Sequence, residues 1–403
     1  MCIRDRASGT VNIGSKTYSE DIELEVSTGT STNIIKDETF GNFKATQNIN
    51  DINLIGGYSR TYATGDALKY QSWNTEDQKF PLNRGLSLMG GKKFELFDND
   101  FSVFATLSHA NDFEYRNGTY RKYRSNVLYN SFTDAETFQT EFNTTGLLNL
   151  AYDINTDHTL NFNSMVIFKT VDELYEQGRN GEGYAYDQLP QQEAAFTRDQ
   201  NLKETQIIIN QLLGSHNITK NNRLEWAVGY NIVNADEPNR IHNEVNMLDE
   251  NTVGFAYVGD FQQKKSMQTI SDDEINGYLK DRITFIDEDD KTLKLNLGAN
   301  FRMKGRDFYS FPYGVRAKNV NVQSIDNMDE AFLDLDLYES GDLRIREVDP
   351  DFYDATLNVY AGYLNVDFGK EKFSGNAGVR YERDELEVNW NVTNYVGRAG
   401  SLN

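Results

Sequence analysis

The chain is short of cysteine, proline, positive charge and long apolar runs, and each shortage removes a class of protein. Its single cysteine, Cys2, excludes a disulfide framework and a cysteine-based zinc site. Only 5 prolines in 403 residues leave long stretches free to form sheet, because proline removes a ladder donor. No stretch approaches the roughly 18 consecutive apolar residues of a helical membrane span. A β-barrel span stays open, since its strands alternate lipid-facing and lumen-facing residues and average to weak hydropathy. Lys and Arg number 40 against 62 Asp and Glu, a formal charge of −22. Nucleic acid is therefore a poor partner, because neutralising phosphates needs clustered cations. An acidic surface suits a cationic or metal-bearing ligand, or plain solubility. A nucleophile elbow, a phosphate-cradling glycine loop and a zinc motif are all missing. No catalytic residue, cofactor or resident metal is expected, and the chain does not read as an enzyme.

What is present is aromatic and alternating. Phe and Tyr number 24 and 23, a composition that favours strands. Period-two patterning recurs along the chain. From Thr292 to Lys304 one face carries Leu293, Leu295, Leu297, Ala299, Phe301 and Met303, and the other carries Lys294, Asn296, Gly298, Asn300, Arg302 and Lys304. Leu224, Trp226, Val228, Tyr230 and Ile232 make a second such face. The connections alternate in length. Short polar turns are expected at Asn48–Asn53, Phe97–Phe101, Asn155–Thr159, Asn217–Arg223, Asp287–Thr292 and Gly369–Phe373. Long polar loops are expected at 62–83, 113–138, 169–201, 235–273 and 305–354. Short turns at one end and long loops at the other are the habit of outer-membrane barrels.

These boundaries predict about thirteen strands, near 20–30, 41–48, 52–62, 84–97, 100–112, 139–154, 158–168, 202–216, 222–234, 274–287, 291–304, 355–369 and 372–390. The fold class expected is an all-β, antiparallel transmembrane β-barrel, incomplete because an odd count ends on an upward strand. Residues 1–6, Met-Cys-Ile-Arg-Asp-Arg, lack the apolar core of a signal peptide and read as a non-native leader.

Three segments carry a resemblance. Ser8-Gly9-Thr10-Val11-Asn12-Ile13-Gly14-Ser15-Lys16 is similar to the end of the plug domain of TonB-dependent receptors, where such a strand leads into the first barrel strand. Asn376-Ala377-Gly378-Val379-Arg380-Tyr381-Glu382 and Tyr360-Ala361-Gly362-Tyr363-Leu364 resemble that family's mid-barrel strands. The chain thus resembles a Bacteroidetes-type TonB-dependent outer-membrane receptor, with residues 7–18 as the end of the plug and 19–403 as the front part of the barrel. The resemblance implies about 13 strands of an expected 22-stranded barrel. It also implies location in the cell outer membrane of a Gram-negative bacterium and uptake of a scarce nutrient, such as a siderophore or glycan. Implied partners are outer-membrane lipid, the chain's own plug, the TonB complex through N-terminal parts not in this sequence, and a surface lipoprotein. Arg380 and Glu382 should face the lumen, opposite Val379 and Tyr381. The alternatives are a passive outer-membrane channel or structural barrel, and a soluble secreted all-β glycan-binding protein.

In such receptors ligand is captured by extracellular loops, whose exposed aromatics stack on sugars or siderophore rings. That makes Trp73, Tyr184, Tyr186, Phe308, Tyr309 and Tyr313 the substrate-binding candidates, with an aromatic girdle as the competing reading of 308–313. Acidic runs at Asp172-Glu173, Asp272-Asp273-Glu274, Asp287–Asp290 and Asp326–Asp336 read as solvated turns, a calcium site being the alternative. His109, His158, His216 and His242 show no metal-ligand spacing.

Overall fold

The computed structural model describes residues 22–30, 34, 42–53, 56–58, 65, 67–78, 81–180, 183–185, 195–249, 251–256, 260–393 and 399–402. Their dominant element is one antiparallel path of twelve strands, each hydrogen-bonded to the next in sequence. In order these are β1 (Glu23–Gly29), β2 (Asn83–Leu96), β3 (Asn99–Arg124), β4 (Val127–Asn155), β5 (His158–Gln177) and β6 (Ala195–Thr219). The path continues with β7 (Asn222–Asp249), β8 (Gln263–Glu288), β9 (Lys291–Ala317), β10 (Asp351–Lys370), β11 (Phe373–Asn391) and β12 (Ala399–Leu402). Among the described residues β1 and β12 form its two margins.

Two-residue connections at 97–98, 156–157, 220–221, 289–290 and 371–372 all fall at one end of the sheet. This matches the expected short turns, except the one at Asn48–Asn53. Phe97 and Asp98 both have positive φ, 54° and 62°, the geometry that lets a two-residue loop follow the right-handed twist of its strands. At the other end the expected long loops shrink, because strands run on through them. β3 and β4 extend to a two-residue turn at 125–126, inside what reads as the loop 113–138. β7 and β8 likewise consume most of 235–273. The reason is that alternation is visible only while one face is apolar. Where both faces turn polar, a paired strand looks like a loop.

Directly opposed residues share a face, so the strand registers define two faces. One carries Phe162, Leu212, Val228, Leu279, Phe301, Leu364 and Val379. On it an apolar band spans Leu160–Phe168, Leu224–Ile232, Leu293–Met303 and Tyr360–Phe368. Asp172, Asp236, Asp307 and Asp354 end it on the same face. The band is largely bare: Leu279 is 50% exposed, Leu107 56% and Val379 73%. The opposite face is polar and cross-linked. Asn296 donates to Asn365 and Asp367 at 2.7 and 2.8 Å, Arg302 to Glu274 at 2.7 Å, and Arg306 to both oxygens of Asp272 at 2.6 Å. Arg380 bonds Asn300 and Glu382 on this face, opposite Val379 and Tyr381.

Beyond the band, connecting segments fold back over the same face and bury it. Residues 42–53 and 56–58 belong to this layer, which corrects, over those residues, the expectation of barrel strands at 41–48 and 52–62; residues 41, 54–55 and 59–62 lie outside the described residues. Phe43–Ala45 pairs only with Glu76–Gln78, in a separate two-stranded sheet. The physical reason lies in Thr46, Gln47 and Asn48, three consecutive buried polar residues that a two-faced strand cannot satisfy. They bond down to the sheet instead. Thr46 N and Oγ1 donate to Asp172, the first at 3.0 Å. Gln47 N donates to Gln200 at 3.0 Å, and Asn48 Nδ2 to the Asn239 carbonyl at 3.3 Å. Phe43 meets Phe113 and Phe138 edge-on at 5.3 and 5.4 Å.

More of the layer comes from residues 67–78, from 252–256 and from the connection between β9 and β10, which carries α1 (Asp329–Phe332) and α2 (Leu335–Ser340). Asp334 caps α2 by accepting from Asp336 N at 2.9 Å, and Gly341 ends it at φ 82°, a left-handed conformation that suits glycine.

Candidate functional site

The chemistry of the molecule is concentrated where this layer meets the distal ends of β5 and β6. The even-numbered residues of both strands point into it, which sets Glu176 directly opposite Arg198. Arg198, with no exposed surface, donates Nε to Glu176 at 2.7 Å, Nη1 to the Ile325 carbonyl at 2.9 Å and Nη2 to Asp326 at 2.7 Å. Arg179 also reaches both Glu176 and Asp326. Lys44, from the segment 42–53, closes on Glu176 at 2.7 Å. Burial by itself would raise the Glu176 carboxyl, but the Arg198 charge, helped by Arg179 and Lys44, holds it down at about 2. Asp326 is held well below the usual carboxylate range by its bonds to Arg179, against its own burial.

Two further groups sit nearby in opposite electrostatic states. Asp172 is fully buried and makes no ion pair among the described residues, and burial pushes its carboxyl up to about 6 against two bonds from Thr46. Burial opposes charge on His242, yet bonds to Asp199 at 2.8 Å and Glu244 at 3.1 Å prevail and push the imidazole up to about 9.

The five described candidate aromatics do not share one site: Trp73 and Tyr313 enter one core, Phe308 and Tyr309 border one shallow pocket, and Tyr184 lies apart. The sequence reading places Trp73 and Tyr313 at the surface, and the structure buries both. Trp73 has no exposed surface. It stacks on Phe332 at 4.3 Å, lies under the Lys265 ammonium at 4.8 Å, and donates Nε1 to the Leu68 carbonyl at 3.3 Å. Its backbone N–H reaches Asp329 at 2.6 Å, which ties residues 67–78 to α1. Tyr313 belongs to the same core, packed on Phe311 at 4.5 Å. A large ring beside a polar loop is an efficient way to bury apolar area under a thin layer, and that is its use here. Phe308 and Tyr309 are neighbours in β9 and so lie on opposite faces. Phe308 stacks on Tyr353 at 4.9 Å on the polar face. Phe308 and Tyr309 still border one shallow pocket of about 300 Å3, with Phe352, Tyr353, Asp307 and Asp354. Tyr184 lies in the short strand Tyr184–Ala185, paired with Asn130 and Ser131. Tyr186 lies outside the described residues.

The structure also makes contacts that the sequence spacing conceals. His158 and His216 face each other across β5 and β6, Nδ1 to Nδ1 at 3.1 Å, and Trp226 donates to His216 Nε2 at 3.0 Å. The junction of Lys44, Glu176, Arg198 and Asp326 spans 282 residues of sequence (44 to 326), and nothing local announces it. Of the acidic runs, Asp272 and Glu274 are held by Arg306, Lys304 and Arg302, and Asp326 by Arg179 and Arg198.

The class these observations define is an all-β protein built on one large antiparallel sheet with a bare apolar band on one face. No protein-family model and no curated protein matches the chain.

Proposed function

We propose that this sheet is wall of an outer-membrane β-barrel of the TonB-dependent receptor type, taking up a scarce nutrient such as a siderophore or glycan with energy from TonB. One observation carries the reading. The apolar band is nine to eleven residues long on β5, β7, β9 and β10, partly to largely exposed, as at Val228, Met303 and Leu364, and ended by carboxylates. Strands of about 9–11 tilted residues cross a hydrocarbon core, and an outward apolar band over a polar interior is the build of such barrels. The bonded Asn, Arg and Glu side chains of the other face suit a wet lumen or a plug.

The layer over the distal part of the same face favours a second reading, a secreted all-β binding protein whose sheet is partly covered by its own loops. Cysteine labelling separates the two. In a Cys2→Ser background, cysteines replacing Leu107, Leu279 and Val379 should resist a water-soluble maleimide in membranes, while one replacing Asn300 reacts. Free labelling of all four in a detergent-free soluble protein sinks the membrane reading. Loss of ligand uptake on removal of TonB then separates the receptor from a passive channel.

A further inference from the structure

Two grooves interrupt the apolar band, and they share a plan. The first, about 650 Å3, crosses from β7 to β11. Its floor is Ala299 directly opposite Gly362, and Trp226, Phe301, Tyr360 and Tyr381 stand around it. The second, about 760 Å3, lies over β2 and β3, with Gly90 opposite Ala105 as its floor and Leu88, Phe94 and Leu107 beside it. A pair of small residues at one level on adjacent strands removes side-chain volume from both, and the larger neighbours are left as walls. The space is open at Gly362, where a Cβ would meet nothing nearer than the Gly298 carbonyl oxygen at 3.8 Å.

Charge narrows the occupant. The chain carries −22 overall, yet each groove has cations at its lining, Arg383 in the first and Lys92 and Lys93 in the second, Lys93 being paired with Asp100 at 2.5 Å. Lys92 has no carboxylate partner among the described residues; its ammonium lies 5.4 Å from the Phe94 ring centre. Arg383 pairs with Glu385, and both side chains are largely exposed, the kind of ion pair that is worth little and exchanges readily. Apolar walls with a basic group free of a strong partner beside them complement a hydrocarbon chain that ends in a phosphate. Aromatic rings of Trp and Tyr are at home beside such headgroups.

We propose that each groove seats an acyl chain of an anionic phospholipid from the surrounding bilayer, with the lipid phosphate on Arg383 in one groove and on Lys92 in the other. This rests on the outer-membrane reading above. Ordinary boundary lipid would slide along the band without regard to headgroup; these two seats select by charge.

Trp226 supplies the probe, since its ring lines the first groove. The full chain is placed in lipid nanodiscs containing equal fractions of either brominated phosphatidylglycerol or brominated phosphatidylcholine. The Trp226 signal is the emission lost in Trp226→Phe. Quenching by the anionic lipid should be about fivefold more effective, the enrichment expected from one cationic contact, and Arg383→Gln should make the two lipids equal. In native mass spectrometry, Lys92→Gln should lower the number of retained phosphatidylglycerol molecules by one. Equal quenching by both lipids in the unaltered chain overturns the proposal and leaves boundary lipid only. A preference that survives Arg383→Gln overturns the phosphate contact. Quenching by neither lipid means that the apolar face does not meet the bilayer, and the outer-membrane reading falls instead.

Discussion

The turn-proximal and distal halves of the sheet are made by the same strands, on the same face, and they meet opposite fates. In the near half Leu279 and Val379 lie bare. In the far half Leu202 and Ile241 have no exposed surface. Burying a side chain of this size contributes about 1.5–3 kcal/mol, so the far half gains from its own chain what the near half must draw from outside. Polarity follows the same division. The bare band settles its few polar residues within the sheet, as where Ser164 donates to Asn210 at 2.8 Å. The covered half instead buries Glu176, Arg198 and Asp172 and uses them to fasten the layer. An alternating strand specifies a face and leaves open what covers it.

The sharpest way to break the comparison is at the junction. Glu176→Gln leaves Arg198 buried without its main partner, and should destabilise the layer by about 3–5 kcal/mol. Proteolytic cleavage within residues 318–342 should then appear well before the sheet unfolds, with no change in lipid association. In the near half, Leu279→Arg should cost about 2–4 kcal/mol in a bilayer if it sits near the midplane, measured as a fall in folding efficiency into vesicles. The layer should stay protected from protease in the fraction that folds.

Acidity separates the halves by a smaller amount. The folded Asp172 carboxyl titrates near 6, above its ordinary 3.8, so its contribution is fully present below about 3.8 and is lost as pH rises through 6. Glu176 is the reverse. Its contribution is present above its ordinary 4.5 and is lost as pH falls through about 2. His242 contributes below 6.5 and loses that contribution as pH rises through about 9. Protection of the layer against hydrogen exchange should therefore peak near pH 5 and decline toward pH 9. Asp172→Asn should remove the larger share of the change between pH 7 and 5, about 1.4 kcal/mol at one pKa unit, and leave the His242 part. Exchange in β10 and β11 beneath the bare band should not follow this profile. The smallest effect is expected at the turns, where the exposed Arg223–Glu225 pair at 2.8 Å should be worth less than about 1 kcal/mol, and Arg223→Gln should barely move the melting temperature.

Much of the sheet was legible in the residues. Thr292–Lys304 and Leu224–Ile232 alternate so cleanly that their strands, faces and flanking turns follow from period two alone. Legibility ended where one-sided apolarity ended. The strands through 113–124 and 235–249 carry polar residues on both faces and read as loops, although their backbones pair without interruption up to local bulges. Residues 41–48 failed in the opposite sense, since Phe43 and Ala45 imitate an alternating strand. Trp73 and Tyr313 were misplaced at the surface because a ring in a polar segment announces only that it will be partnered. Whether by ligand, lipid or Phe332, Trp73 looks the same in one dimension.

The sequence by itself determined the all-β class, the two-faced strands and the tight turns at one end, because these rest on interactions between residues near in the chain and on a period of two. Tertiary structure alone decided which stretch of the apolar face is covered, which aromatics are hidden, and that Lys44, Glu176, Arg198 and Asp326 meet. Buried charge is tolerated only where opposite charge is delivered to it, and that delivery depends on segments far apart in the chain arriving at one place.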